Sequence, residues 1–577
     1  MSAAAPFREL QTSAYRGFVG GLNLRDAIDE LAPSESPDLY NVVLDERGGF
    51  GSRLGYVKQN PSPYHASNKV VAIFAWPATP GHLVTQVGPS LYLDNSTTAF
   101  KTFTTSARCG FAEFAGKLYI IHPADGLFAS DGTSGGTTAV ASGPKGSTLA
   151  VWQNRLWASG NSARVYFSSI GTGAGWTPAS TTTAGGSLAL PAATVTVAST
   201  AGFDPTGAIT IGTGATADTV QYTGVTATTF TGCTGGSHTW PNGTPVTQGN
   251  NYNDLIEKDE EPVLCLRGSS GQDIIGQPGL IAFKLRSTYR INDSDTGAYT
   301  TLDPMIGAAS NAAAAVVSGR VYSISEVGIA YTDGRGPMKI ESDKLRPMWD
   351  NQQLAFDQLP LWCAGRKGQH LVFSVPTTGK TANDLAMEHY PAANPRDAAT
   401  VIGSNAASCY AAHDDDLLAG SPTVAGQVYK QDTGGTDDGT PIHAYYQTAW
   451  ITPHAERMSR IRSMLYEGHG AFTAFTRIDY LRAQGDPRIV TIGGGGAFVW
   501  NSGWKWNDGS TWGPDSFAGY SDPEPSLGTC KAISFRCDAT TTDVKTTPGL
   551  SGSPIRPIVG SWAVYAIHLK SVPLRQL

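Results

Sequence analysis

Gly116-Lys117-Leu118-Tyr119-Ile120, followed by Gly126-Leu127-Phe128-Ala129-Ser130-Asp131-Gly132, places two short apolar strands either side of a polar turn. The doublet returns as Asn154-Arg155-Leu156-Trp157 with Ala163-Arg164-Val165-Tyr166-Phe167, and as Gly319-Arg320-Val321-Tyr322 with Gly328-Ile329-Ala330-Tyr331-Thr332-Asp333-Gly334. Fainter copies lie at Ser90-Leu91-Tyr92-Leu93-Asp94, at Ser287-Thr288-Tyr289-Arg290-Ile291, at Leu385-Ala386-Met387-Glu388, and at Asp416-Leu417-Leu418 with Gln427-Val428-Tyr429-Lys430-Gln431-Asp432. The second strand of each copy supplies a marker: Leu91, Leu127, Val165, Thr288, Ile329, Ala386 and Val428. Strand pairs returning roughly every forty residues specify an all-β body repeated around an axis, a β-propeller of about seven blades.

One interval breaks the rhythm: from Val165 to Thr288 the chain is far too long for a single four-stranded blade. The excess is residues 177–249, where the composition turns to Thr, Ala and Gly with hardly any charge. Ala193-Thr194-Val195-Thr196-Val197, Ile209-Thr210-Ile211, Thr219-Val220-Gln221-Tyr222-Thr223 and Thr229-Phe230-Thr231 alternate with period two, the pattern of strands with one wet face. Turn formers separate them, as at Gly202-Phe203-Asp204-Pro205 and Trp240-Pro241-Asn242-Gly243. A small β module therefore interrupts a propeller expected over residues 65–435.

Residues 1–64 are expected to form an extended arm ending in a charged hairpin at Asp45-Glu46-Arg47-Gly48-Gly49. Ser34 and Ser36-Pro37 within it predict the start of a short helical turn, because serine satisfies free N–H groups and proline has none to satisfy. Residues 436–577 are expected to form a β-sandwich-like domain. Its strands are Ala444–Trp450, Ala471–Thr476 and a central Trp562–Leu569, with Trp500, Trp504, Trp506 and Trp512 around an Asn507-Asp508-Gly509 turn.

Only 15% of the 577 residues are charged, which favours a stiff, turn-rich sheet protein over a helical or disordered one. A formal charge of −7 argues against general adhesion to DNA. The best basic cluster, Arg457, Arg460 and Arg462, reads equally as the solvent face of an edge strand or short helix. The N-terminus shows no basic leader with an apolar core, and no run of eighteen apolar residues predicts a membrane span. The seven cysteines (109, 233, 265, 363, 409, 530, 537) are odd in number and scattered. Cys530 and Cys537 are close enough in sequence to meet across a hairpin, but most read as small buried hydrophobes.

Catalytic and metal-binding constellations are weak. His413-Asp414-Asp415-Asp416 with Asp432, Asp437 and Asp438 offers carboxylates for calcium but lacks the spacing of a calcium loop. Wet turns in which aspartate accepts local backbone bonds account for these residues, as for Asp131-Gly132 and Asp333-Gly334. Glu257, Asp259, Glu260 and Glu261 are too crowded to flank a glycan and read as a solvated linker. His443, His454 and His469 have no zinc spacing, and Gly493–Gly496 lacks the lysine and hydroxyl of a phosphate loop. No catalytic residue, metal or cofactor is expected.

Gly20-Gly21-Leu22-Asn23 with Arg25-Asp26, Glu35-Ser36-Pro37-Asp38, and Asp45-Glu46-Arg47-Gly48-Gly49 leading to Arg53-Leu54-Gly55-Tyr56 resemble the opening of tail and minor tail proteins of tailed bacteriophages. Some of these are β-propeller nozzle proteins. The module around Phe203, Tyr222-Thr223-Gly224-Val225 and Thr229-Phe230-Thr231-Gly232-Cys233-Thr234 resembles a small decoration inserted in phage virion proteins. The resemblance implies a non-enzymatic virion protein made in the host cytoplasm. It implies a homo-oligomeric ring, sixfold for a nozzle, that joins other tail proteins and lets viral DNA pass. The acidic balance suits a lumen that repels DNA. The competing reading is a receptor- or carbohydrate-binding tail protein for host attachment, with Trp504, Trp506 and Trp512 stacking on sugars.

Overall fold

In the computed structural model of the chain, the described residues are 11–45, 48–77, 81–133, 135–176, 179–248, 252–256, 260–268, 279–293, 298–413, 415–454, 458–479, 488–492, 518–522, 529–540 and 562–573. Strands dominate them, and the single α-helical stretch among them is Arg346–Asp350.

The quoted doublet is entered through a tight hairpin. Gly110–Phe114 pairs with Lys117–His122, Phe114 opposite Lys117, so two residues make the turn. Both, Ala115 and Gly116, have positive φ (49° and 72°). That is the mirror-image turn whose twist matches the strands it joins. Ser318-Gly319 and Gln153-Asn154 repeat it in the other two clear copies.

Each doublet supplies the middle of a four-stranded antiparallel sheet, and there are seven such sheets in this series. Their first strands are Val70–Trp76, Gly110–Phe114, Leu149–Trp152, Cys265–Arg267, Ala314–Val317, Cys363–Lys367 and Tyr410–His413. Each touches the next, and the last touches the first, so the sheets form a closed ring around an axis. All seven sequence markers lie on third strands, from Ser90–Leu93 to Val428–Lys430. The middle strands are buried on both faces. Arg320–Ser325 and Gly328–Thr332 carry almost unbroken burial, so they lack the alternation of buried and exposed residues that a strand with one wet face shows.

The seventh sheet is completed from the other end of the chain. Val57–Lys58 pairs with Val428–Lys430, and Asn60 Oδ1 accepts from the Val428 N–H and from Gln427 Nε2, both at 2.8 Å. The ring therefore begins before the residue 65 expected from sequence. The inserted strands, Ser180–Thr182 through Pro245–Gln248, leave the third sheet after Arg164–Phe167 and return to its last strand, Tyr252–Asp254. They enclose their own core of Val195, Ile209, Ile211, Val220, Phe230 and Val246.

The arm and the C-terminal region share one sheet system. Ser459–Ile478 is a twenty-residue strand. Its partner Ala563–Pro573 is central, with Gln11–Arg16 and Phe50–Ser52 on its other edge. His443–Gln447 runs between Asp38–Tyr40 and Ile533–Thr540. Phe18, Phe50, Tyr446 and Trp562 meet in one aromatic cluster, with Phe50 stacked on Tyr446 at 3.9 Å. The arm is thus a structural part of the C-terminal sheets rather than a separate element.

Two local expectations change. Glu35–Ser36 is not the start of a helical turn but a parallel strand beside Gly21–Leu22, and Ser36 Oγ donates to the Gln447 carbonyl at 2.6 Å. Cys530 and Cys537 do not bridge: they sit opposite Ser459 and Ala474, and all seven cysteines are free and buried.

Candidate functional site

The acidic residues singled out from the sequence are dispersed onto separate cations. Asp416 pairs with Lys430, Asp432 with Lys367, Asp437 with Arg53 and Asp438 with Lys58. Asp415 is exposed, and Asp414 lies outside the described residues. Among the described residues no group of three or more His, Cys, Asp or Glu side chains is arranged to hold a metal. Asp131 and Asp333 accept bonds from the N–H groups two residues on, at 2.9 Å each, as the turn reading requires.

Glu261 lies at 4.0 Å from Arg286 and Glu260 is near it in sequence, while Glu257 and Asp259 fall outside the described residues. His443 bonds Asp538 at 2.6 Å and His454 bonds Ser571 at 3.0 Å. They serve different sheet contacts, and the side chain of His469 is not among those described. Arg460 is exposed on the long strand, while Arg457, the four glycines at 493–496 and the four tryptophans lie outside the described residues.

One arrangement copies the logic of a nucleophile, base and acid. His389 Nε2 faces Glu341 Oε2 and its Nδ1 faces Thr400 Oγ1, both at 2.9 Å. The His and Glu side chains are 0% exposed, so no substrate reaches them. The trio is a buried clasp between the fifth and sixth sheets, with Arg320 adding charge at 3.7 Å from Glu341.

The residues of the N-terminal motif are likewise spent on architecture. Asn23 Nδ2 donates to Asp26 and Glu35, and Glu35 receives Lys344 from the ring at 3.0 Å. Asp38 pairs with Arg536 at 2.8 Å. Arg53 reaches Asp437 with both terminal nitrogens, at 2.7 and 2.5 Å, and Asn41 with its Nε at 2.9 Å. A two-pronged guanidinium–carboxylate contact fixes direction as well as distance, so it locks the arm at a defined angle to the short hairpin Thr436–Pro441 that follows the last ring sheet.

The most distinctive polar feature lies on the ring axis, in a cavity of about 160 Å³ lined from all seven sheets. Two half-buried arginines enter it. Arg108 donates from Nε to the Val71 carbonyl at 3.0 Å and from Nη2 to the Ser408 carbonyl at 2.9 Å. Arg267 donates to the carbonyls of Ala314 at 2.8 Å and Leu266 at 3.0 Å. Asn311 stands between them: Arg108 Nη1 lies 3.5 Å from its Oδ1, and Arg267 Nη2 lies 3.5 Å from its backbone oxygen. Its own Nδ2 is held by the Ser147 carbonyl at 3.0 Å. Sequence reading passed over both arginines because their closest acceptors, at 3.0 Å or less, are main-chain oxygens, which leave no trace in residue identity.

No family model matches the chain, and no curated protein matches it. Among solved structures it is similar to BamB from Moraxella catarrhalis, at 10% identity and a TM-score of 0.33, covering 74% of this chain and 98% of the other. It is also similar to the extracellular domain of a putative hybrid two-component system from B. thetaiotaomicron, at 9% identity and a TM-score of 0.26, covering 76% and 47%. A third is an exo-β-1,3-galactanase from Phanerochaete chrysosporium, at 8% identity and a TM-score of 0.20, covering 86% and 98%. Likeness at this level assigns no activity to the chain.

Proposed function

We propose that the chain is a structural protein of a bacteriophage tail, built as a seven-bladed β-propeller that carries a small inserted β module and a C-terminal β domain completed by the N-terminal arm. The observation that carries the reading is the use made of the N-terminal motif. The residues that resemble tail proteins, from Asn23 to Arg53, are tied into ion pairs and strand pairings that weld the chain's two ends to the ring. A protein whose most distinctive residues fix the angle between two rigid bodies is suited to transmit position and load. In this reading copies of the chain form a closed ring, sixfold for a nozzle, since head-to-tail contacts between identical subunits close when the rotation allows. DNA passes through the lumen of that ring. The propeller axis, at about 160 Å³, is far too small for a duplex.

Reconstruction of intact particles tests the proposal. Density for this chain in a symmetric ring on the tail axis is expected. Isolated copies on the capsid face, or absence from purified particles, would overturn it.

A further inference from the structure

Elsewhere in the molecule, buried and half-buried guanidiniums meet carboxylates: Arg53 meets Asp437, Arg155 meets Asp204, Arg164 meets Asp254 and Arg536 meets Asp38. Arg290 and Arg477 depart from that pattern singly, bonding the Gly334 carbonyl and the Gln447 amide oxygen; the two axial arginines depart from it together, in one cavity. Their partners are carbonyls, one amide and the Ser310 hydroxyl, which accept hydrogen bonds but neutralise no charge, and neither forms an ion pair among the described residues. The other titratable side chains lining the cavity supply no counter-charge. Burial raises the Cys109 and Cys409 thiols, and it raises the Tyr410 phenol, so all three stay neutral at physiological pH.

Two like charges held around a single asparagine in a confined space repel each other, and the repulsion grows as water is excluded. A chain with formal charge −7 has carboxylates in excess, yet none is found among the described residues that line this cavity. We infer that the axial cavity is a binding site for a small tetrahedral oxyanion, inorganic phosphate or a phosphate monoester, held between Arg108 and Arg267. The class follows from the geometry. The two guanidiniums are anchored on different sheets and approach from different sides of Asn311, so one ligand must offer acceptor oxygens in more than one direction. Phosphate has them, and its charge of −1.5 to −2 near neutral pH matches two arginines, whereas a carboxylate brings two coplanar oxygens and one charge. Arg108, Arg267 and Asn311 are all only half-buried, which leaves the site open to solvent.

The inference is independent of the tail assignment, because the purified full-length chain suffices to test it. Thermal melting is followed in phosphate and in chloride at matched ionic strength, alongside ³¹P line broadening of inorganic phosphate. Phosphate is expected to raise Tm to a plateau that chloride does not reproduce, as ligand linkage requires. Arg108→Met or Arg267→Met is expected to weaken binding by about tenfold or more, the loss of one charge-assisted contact. Arg267→Lys, which keeps the charge, is expected to retain part of the effect and shows that a lost increment is not misfolding. Competition by methyl phosphate assigns the site to monoesters as well; its failure to compete narrows the ligand to inorganic phosphate. No phosphate-specific shift or broadening with the wild-type chain, or an undiminished effect in the double Met variant, would overturn the inference.

Discussion

Asp204 belongs to the inserted module by sequence and to the ring by chemistry. Its carboxylate lies 3.0 Å from Arg155 of the third sheet, with the two side chains 1% and 2% exposed, and it also accepts from the Ile170 N–H at 2.9 Å. Removing one member of a buried pair strands the other's charge. Asp204→Ala is therefore expected to cost about 3–5 kcal/mol in urea unfolding, with part of it recovered when Arg155→Met is added. Glu388 gives a second test at this scale. Burial opposes its ionisation, but Lys367 at 2.9 Å and His370 at 3.4 Å outweigh burial and bring its carboxyl from 4.5 down to about 2. A carboxyl lowered on folding stabilises above its unfolded value and loses that contribution as pH falls through the folded one. At about 1.4 kcal/mol per pH unit the drop is worth roughly 3 kcal/mol. Glu388→Gln is expected to flatten the loss of stability between pH 5 and 2, and a variant as acid-sensitive as the parent would contradict this assignment.

Among the elements, the ring strands were legible because their turns are. Ala115-Gly116 and Ser318-Gly319 mark two-residue hairpins, and every marker falls on the third strand of its sheet. The module was legible for a different reason: Thr194–Thr196 and Asp218–Tyr222 alternate cleanly between buried and exposed, as strands with one wet face do. The pairing of the arm with Ala563–Pro573 was not, since register between strands hundreds of residues apart is set by packing that no local pattern encodes. Ser36 misled for the same reason, its hydroxyl being used by the distant Gln447. The module's self-contained core predicts that residues 179–249 can be replaced by a short linker, but only if Arg155 is relieved of its charge. Deletion with Arg155→Met is expected to keep one cooperative melt, and deletion alone to melt lower; equal melting of the two would show that the pair contributes nothing to the ring.

At the scale of the whole molecule, both chain ends close structures begun elsewhere: Val57–Lys58 finishes the seventh sheet, and the arm fills the C-terminal core with Phe18 and Phe50. Phe50→Ala is expected to cost about 3–5 kcal/mol, as for other buried aromatics, and to increase proteolysis at both ends together. A chain stopped after residue 442 is expected to bind ANS and to sediment, because the arm's apolar side chains and strand edges have lost their partners; a soluble product with a sharp melt would refute this.

That dependence acts as an inspection step during synthesis. At roughly 5–20 residues per second, the ribosome needs on the order of half a minute to two minutes between releasing Phe50 and delivering Trp562. Throughout that interval the nascent chain displays adhesive strands that chaperones and proteases recognise, and only translation through Trp562 conceals them. Interrupted polypeptides are therefore expected to keep these unfinished sheets exposed. A closed assembly of identical copies, which a single defective member would spoil, would recruit only chains that have passed this check.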